Sequence, residues 1–108
     1  MASFYQYETA DLRLTIDDGQ GGTPLEGYDR IVVSIRQARA RLDLTGDDLG
    51  VDVPASTINV HLTQEQTGAF EAAPAQVQVN VYYSDSERDV TAKGEVKVLD
   101  NLYKQVIA

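Results

Sequence analysis

His61 is the chain's one histidine. An imidazole can act as a general base or a metal ligand near neutral pH. In Ile58-Asn-Val-His-Leu-Thr it falls on the polar face of an alternating segment, with no clustered acid, base or ligand in the sequence. The plainer account is a surface histidine. The pairs Asp17-Asp18 and Asp47-Asp48 carry the carboxylate oxygens that calcium prefers. Neither follows the Asp-x-Asp-x-Asp-Gly spacing of a calcium loop, and aspartate favours turns because its side chain bonds nearby backbone. Gly19, Gly21 and Gly22 could line a phosphate, but a cradle of that kind opens a helix, often with a lysine. Here a proline and a strand pattern follow. The residues therefore predict no metal, no cofactor and no catalytic group.

Contact is the chemistry that remains. Six tyrosines and two phenylalanines stand in a chain without tryptophan. Tyr5 and Tyr7 stand near the start with Phe4, and Tyr82 and Tyr83 end a strand pattern, so one of the latter faces out; the plainer account is that one tyrosine of each pair caps the core and the other is an ordinary surface residue. Exposed aromatic rings bury much area at small entropic cost. Arg36, Arg39 and Arg41 form a basic cluster that could meet an acidic patch on a neighbouring copy, although a solvated edge is the plainer account. In the tail, Leu99, Leu102, Tyr103 and Val106 share helical spacing, with Ile107 beside them. An apolar stripe of that kind either docks back on its own domain or serves an assembly. The candidate interaction residues are Leu99, Leu102, Tyr103, Val106, Ile107 and Tyr82.

The elements that carry these residues alternate apolar and polar side chains with a period of two, the pattern of half-buried strands. Expected strands are 10–17 (Leu12, Leu14, Ile16 inward), 28–37 (Ile31, Val33, Ile35), 41–45 (Leu42, Leu44), 49–53, 57–63 (Ile58, Val60, Leu62), 75–83 (Val77, Val79, Val81, Tyr83) and 90–98. In the last of these, Ala92, Gly94 and Val96 should line the core, and Gly94 reads as a bulge or a close backbone approach. Residues 17–24 read as a loop or wide hairpin turn, Gly46-Asp47-Asp48 as a hairpin turn, and Ser84 to Asp89 as a polar turn. Thr63 followed by Gln66 predicts a capping box and one turn of helix over 63–70 that crosses between sheets, with Phe70 plugging the core. Seven short strands at this spacing predict an all-β, two-sheet antiparallel β-sandwich over 1–98, followed by an apolar C-terminal tail over 99–108.

Composition narrows the partners. The 108 residues suit one domain. The net charge of −8, from 17 acidic and 9 basic residues, disfavours a nucleic-acid partner. Absence of cysteine rules out disulfides and thiolate chemistry. No apolar run approaches the roughly 20 residues of a membrane span, and the start lacks the pattern of a signal peptide. The expectation is a protein made and kept soluble inside a cell, with no membrane partner.

Three segments carry a family resemblance: Tyr28-Asp-Arg-Ile-Val-Val-Ser-Ile-Arg-Gln, Ile58-Asn-Val-His-Leu-Thr-Gln-Glu-Gln-Thr-Gly-Ala-Phe and Val77-Gln-Val-Asn-Val-Tyr-Tyr. Together they resemble small phage and prophage proteins of Gram-positive bacteria. Those proteins have a strand ending in glutamine, a Leu-Thr/Ser-Gln-Glu-x-Thr-x-x-Phe turn, a Val-x-Val-Gln strand and a short apolar tail. A related pattern opens phage baseplate upper proteins, which implies an immunoglobulin-like β-sandwich. The stretch Leu44 to Val53 and the tail depart from the pattern. The resemblance implies a non-enzymatic virion structural protein of tail, baseplate or head, made in the host cytoplasm, which binds copies of itself as a homo-oligomer or other virion proteins. A carbohydrate- or surface-binding module that uses Tyr82, Tyr83 and the acidic loops is the alternative.

Overall fold

Alternation is the organising feature of the fold, because each strand must turn one face to a core and the other to water. The structure is a computed structural model that describes residues 2–16, 25–83 and 90–102. Its strands are β1 (Ala2–Tyr5), β2 (Ala10–Thr15), β3 (Tyr28–Arg36), β4 (Arg41–Thr45), β5 (Leu49–Asp52), β6 (Thr57–Leu62), β7 (Pro74–Tyr83) and β8 (Val90–Leu99). A 3₁₀ turn spans Gly46–Asp48, and one helix, α1, spans Gln64–Gly68. Pro74 opens β7 rather than preceding it, a position where its missing N–H costs little.

Two sheets face each other. The larger has the order β1-β8-β7-β3-β4, the smaller β2-β6-β5. Hairpins join β3 to β4 and β7 to β8, whereas β2 to β3, β4 to β5 and β6 to β7 change sheet. The core between them holds Leu12, Ile16, Ile31, Val33, Ile35, Ile58, Val60, Leu62, Val77, Val79, Val81, Val96 and Val98, all buried. Each such side chain contributes about 1.5–3 kcal/mol relative to exposure. Phe70 closes one end, edge-on to Phe4 with ring centroids 5.9 Å apart. The fold is an immunoglobulin-like β-sandwich.

Five features differ from the reading of the sequence. A strand the alternation did not reveal, β1, pairs in parallel with β8, Ala2 opposite Val96 and Tyr5 opposite Leu99. Parallel neighbours need a long crossover, and here the whole sandwich lies between them. Leu99 thus ends β8 rather than opening the tail. Gly46-Asp47-Asp48 is not a hairpin turn: β4 pairs with β3 and β5 with β6, so the turn carries the chain from one sheet to the other. Gly46 meets this need with φ +58, a conformation costly for residues with a Cβ. Gly94 is neither bulge nor close approach. The β7–β8 register runs through it unbroken, it is exposed, and a Cβ built there meets nothing within 4 Å. The irregularity falls instead in β3, where the register shifts between Tyr28 and Arg30. The loop 17–24 and the turn 84–89 lie outside the described residues, but β2 and β3 belong to different sheets, so no hairpin joins them.

Candidate functional site

The turn after β6 shows how local sequence positions a joint. Thr63 and Gln66 form the reciprocal cap: the Gln66 amide donates to Thr63 Oγ1 at 3.3 Å, and the Thr63 amide donates to Gln66 Oε1 at 2.8 Å. Both satisfy donors that the first helical turn leaves free. Thr67, fully buried, donates its hydroxyl to the Glu8 carbonyl at 2.9 Å, which ties α1 to the β1–β2 connection. Gly68 sits where a Cβ would run into the Tyr7 ring. Gln6 completes the joint. Its Nε2 donates to the Phe70 carbonyl at 2.6 Å, its amide donates to the Leu99 carbonyl at 3.0 Å, and its own carbonyl accepts from Asn101 at 2.9 Å. Gln37, the glutamine at the end of β3, reaches the segment before β7. Its Nε2 donates to the carbonyls of Glu71 and Ala73, both at 2.9 Å, and its Oε1 accepts from the Glu71 amide at 2.8 Å. The most distinctive motifs of the sequence therefore hold backbone in place. Gln6 and the role of Gln37 carry no local signal, because their partners lie 34 to 95 residues away.

The groups that suggested chemistry stay apart. His61 Nδ1 lies 2.8 Å from Asp11 Oδ1 across β2 and β6, and both side chains are mostly exposed. Asp47 and Asp48 stand exposed in the 3₁₀ turn. Among the described residues, no three of His, Cys, Asp or Glu gather where a metal could bind. A cleft of about 190 Å³ opens between β2 and β8, lined by Leu12, Leu14, Ile16, Ala92, Gly94 and Val96 among others. His61 is not part of it. No helix among the described residues is long and apolar enough to cross a membrane.

The predicted interaction residues do not form one patch. Leu99 is half-buried at the end of β8, and Leu102 is 98% exposed. Tyr103, Val106 and Ile107 lie outside the described residues. Tyr82 is half-buried at the far end of the sheet, with the Arg30 guanidinium 4.9 Å from its ring centroid. Val81 pairs with Val90, so Tyr82 and Leu99 are separated by about 30 Å at the usual strand rise. Tyr83 is buried beside the half-buried Tyr82, and Tyr5 is exposed with Tyr7 half-buried, so neither pair divides into one buried and one exposed ring.

The arginine cluster acquires a geometry. Arg36 and Arg41 face each other across β3 and β4 on the outer face of the larger sheet. Asp43, two residues along β4, accepts from Ser34 Oγ at 2.7 Å and from Arg41 Nε at 2.9 Å. The Ser34 hydrogen bond is the main cause that holds the Asp43 carboxyl below the ordinary value of 3.8. Burial opposes it as the next largest effect, and Arg41 and the charge of Arg36 add lesser lowering effects. Further along this face Gln78 donates to Asn80 Oδ1 at 2.9 Å, and Asn80 donates to Thr91 Oγ1 at 3.2 Å. The polar groups of the face run as a ladder and do not converge.

Comparison with known proteins bears on the fold. No family model matches the sequence, and no curated protein matches it. Over 93% of its length the chain superposes on the endo-β-1,4-mannanase of Thermotoga petrophila with a TM-score of 0.57 and 9% identity, and it spans 18% of that chain. CD84 aligns over 92% of this chain and 95% of its own, with a TM-score of 0.43 and 9% identity. The likeness to the mannanase is one of fold alone, found there within a much longer chain.

Proposed function

We propose that the protein is a non-enzymatic virion structural protein of a phage or prophage, made in the host cytoplasm and built into tail, baseplate or head through protein–protein contacts with copies of itself or other virion proteins. The observation that carries the reading is the disposition of polar groups. Among the described residues they mostly bond along strands or onto backbone; Asp29, Arg30 and Asp47 line a cleft with Tyr28, but no three metal-ligating side chains gather, while the outer strands of both sheets keep an unpaired side. Such edges are templates for another chain. Weak contacts of this kind add up in a symmetric particle, so no single strong site is needed. The phage-like Thr63–Phe70 turn and the glutamine at the end of β3 support the assignment, because both serve the geometry of the sandwich.

Co-expression with the virion proteins encoded beside it, followed by size exclusion with light scattering, tests the reading. Co-elution with a tail, baseplate or head protein is expected, and loss of residues 103–108 should weaken it. Failure to bind any of them, together with a positive glycan array, would replace the reading with a carbohydrate-binding module. Against that alternative, the Tyr82 ring is already faced by Arg30.

A further inference from the structure

The β4 strand is an open edge with an ordered charge pattern. Among the described residues it ends the larger sheet, and β3 alone pairs with it. The Gln37 amide donates to the Ala40 carbonyl at 2.8 Å, which fixes the phase of the β3–β4 ladder. From that phase, the N–H and C=O groups of Leu42 and Leu44 point toward β3, and those of Arg41, Asp43 and Thr45 point outward. Across the sandwich lies the smaller sheet. Its last strand, β5, packs across from β3: Leu49 and Val51 line one cleft with Tyr28 to Ile31. A further strand can therefore be added beside β4. On the inner face of β4, Leu44 is buried but Leu42 is only half-buried at the rim of the core.

We propose that two copies of this chain pair β4 to β4 in antiparallel fashion about Leu42, joining their larger sheets edge to edge. The register follows from charge. With Leu42 opposite Leu42 of the second copy, Arg41 of each copy faces Asp43 of the other. Both faces match, and each Arg41–Asp43 pair exchanges both backbone hydrogen bonds. A shift that centres Asp43 on Asp43 sets two carboxylates against each other, and a one-residue shift sends Leu42 to the polar face. The chosen register also relieves a cost inside the monomer. Arg36 and Arg41 are like charges directly opposed, an unfavourable cross-strand pair. The second copy brings another carboxylate to Arg41, so that the arginines and aspartates alternate around a square. The cluster of Arg36, Arg39 and Arg41 in a chain of net charge −8 thus finds its partner in the same chain. The inference rests on the contact reading above and names the self-association within it.

Light scattering and sedimentation of the full chain, up to about 1 mM, test the pairing. Wild type should dimerise. Asp43→Arg and Arg41→Asp, each of which opposes like charges, should weaken the dimer by roughly 100-fold or more. The double swap Arg41→Asp with Asp43→Arg should restore it. Amide exchange at Arg41 and Asp43 should slow in the dimer, and melting curves verify that each variant is folded. A wild type that stays monomeric, a dimer that survives both single reversals, or a swap that does not restore it would overturn the proposal. Reversals that abolish binding of a virion protein while wild type stays monomeric would assign the edge to that protein and overturn self-pairing. A charge-dependent dimer that joins no virion protein would uphold this inference and defeat the virion assignment, so the two fail separately.

Discussion

The Thr63–Phe70 turn and the β4 edge are both short and rich in polar side chains, yet they use them in opposite ways. In the turn, Thr63, Gln66 and Thr67 spend their hydrogen bonds on backbone of the same chain, and Phe70 is buried behind them. On β4, Asp43 accepts from Arg41 and Ser34 on an exposed face, and among the described residues the outward backbone groups have no strand beside them. The difference shows that a polar residue stiffens this fold only where it replaces a bond the backbone would otherwise lack. Elsewhere it remains free to meet a partner.

Substitutions can break that contrast, starting from its apolar anchor. Phe70→Ala should cost about 3–5 kcal/mol in denaturant unfolding, since it empties the end of the core and removes the ring from Phe4. A loss under about 1 kcal/mol would mean that the turn does not anchor the sandwich. Gln37→Ala removes the clamp on Glu71 and Ala73 and should cost about 1–3 kcal/mol by the same measurement. Thr63→Ala should cost about 1 kcal/mol, as for other helix caps.

The edge should respond weakly by comparison. Because the folded Asp43 carboxyl titrates below 3.8, its contribution to stability is present above that value and is lost as pH falls through the lowered folded value. Asp43→Asn should therefore flatten the acid limb of a melting-temperature profile, with a small loss of stability at neutral pH that vanishes as the pH falls. A profile that keeps its acid slope would show that the hydrogen bond from Ser34 does not matter in solution. Smallest of all, His61→Ala should change stability by less than about 0.5 kcal/mol, because the pair with Asp11 is exposed on both sides.

Much of the fold was legible from local order. The period of two located the core-facing residues of β2, β3, β6 and β7, since a strand's faces are set by neighbours along the chain. The capping box was legible because its two halves are three residues apart. Candidate site residues were less so. Leu99 reads as the first residue of an apolar tail, but it is a strand residue because β1 comes to pair with it. Tyr82 reads as a free ring, but the β3–β7 register brings Arg30 to it.

By itself the sequence located the described strands other than β1, the apolar side of each, and where a helix turn must begin. These follow from steric and hydrogen-bond preferences that act over a few residues. Only the tertiary structure decided that Gly46–Asp48 changes sheet, that Gln6 and Gln37 hold distant backbone, and that β4 lies at an edge with Arg41 and Asp43 facing outward. Those outcomes depend on which strands become neighbours, and pairing between segments far apart in sequence is settled by the joint burial of a whole core rather than by any one stretch of it.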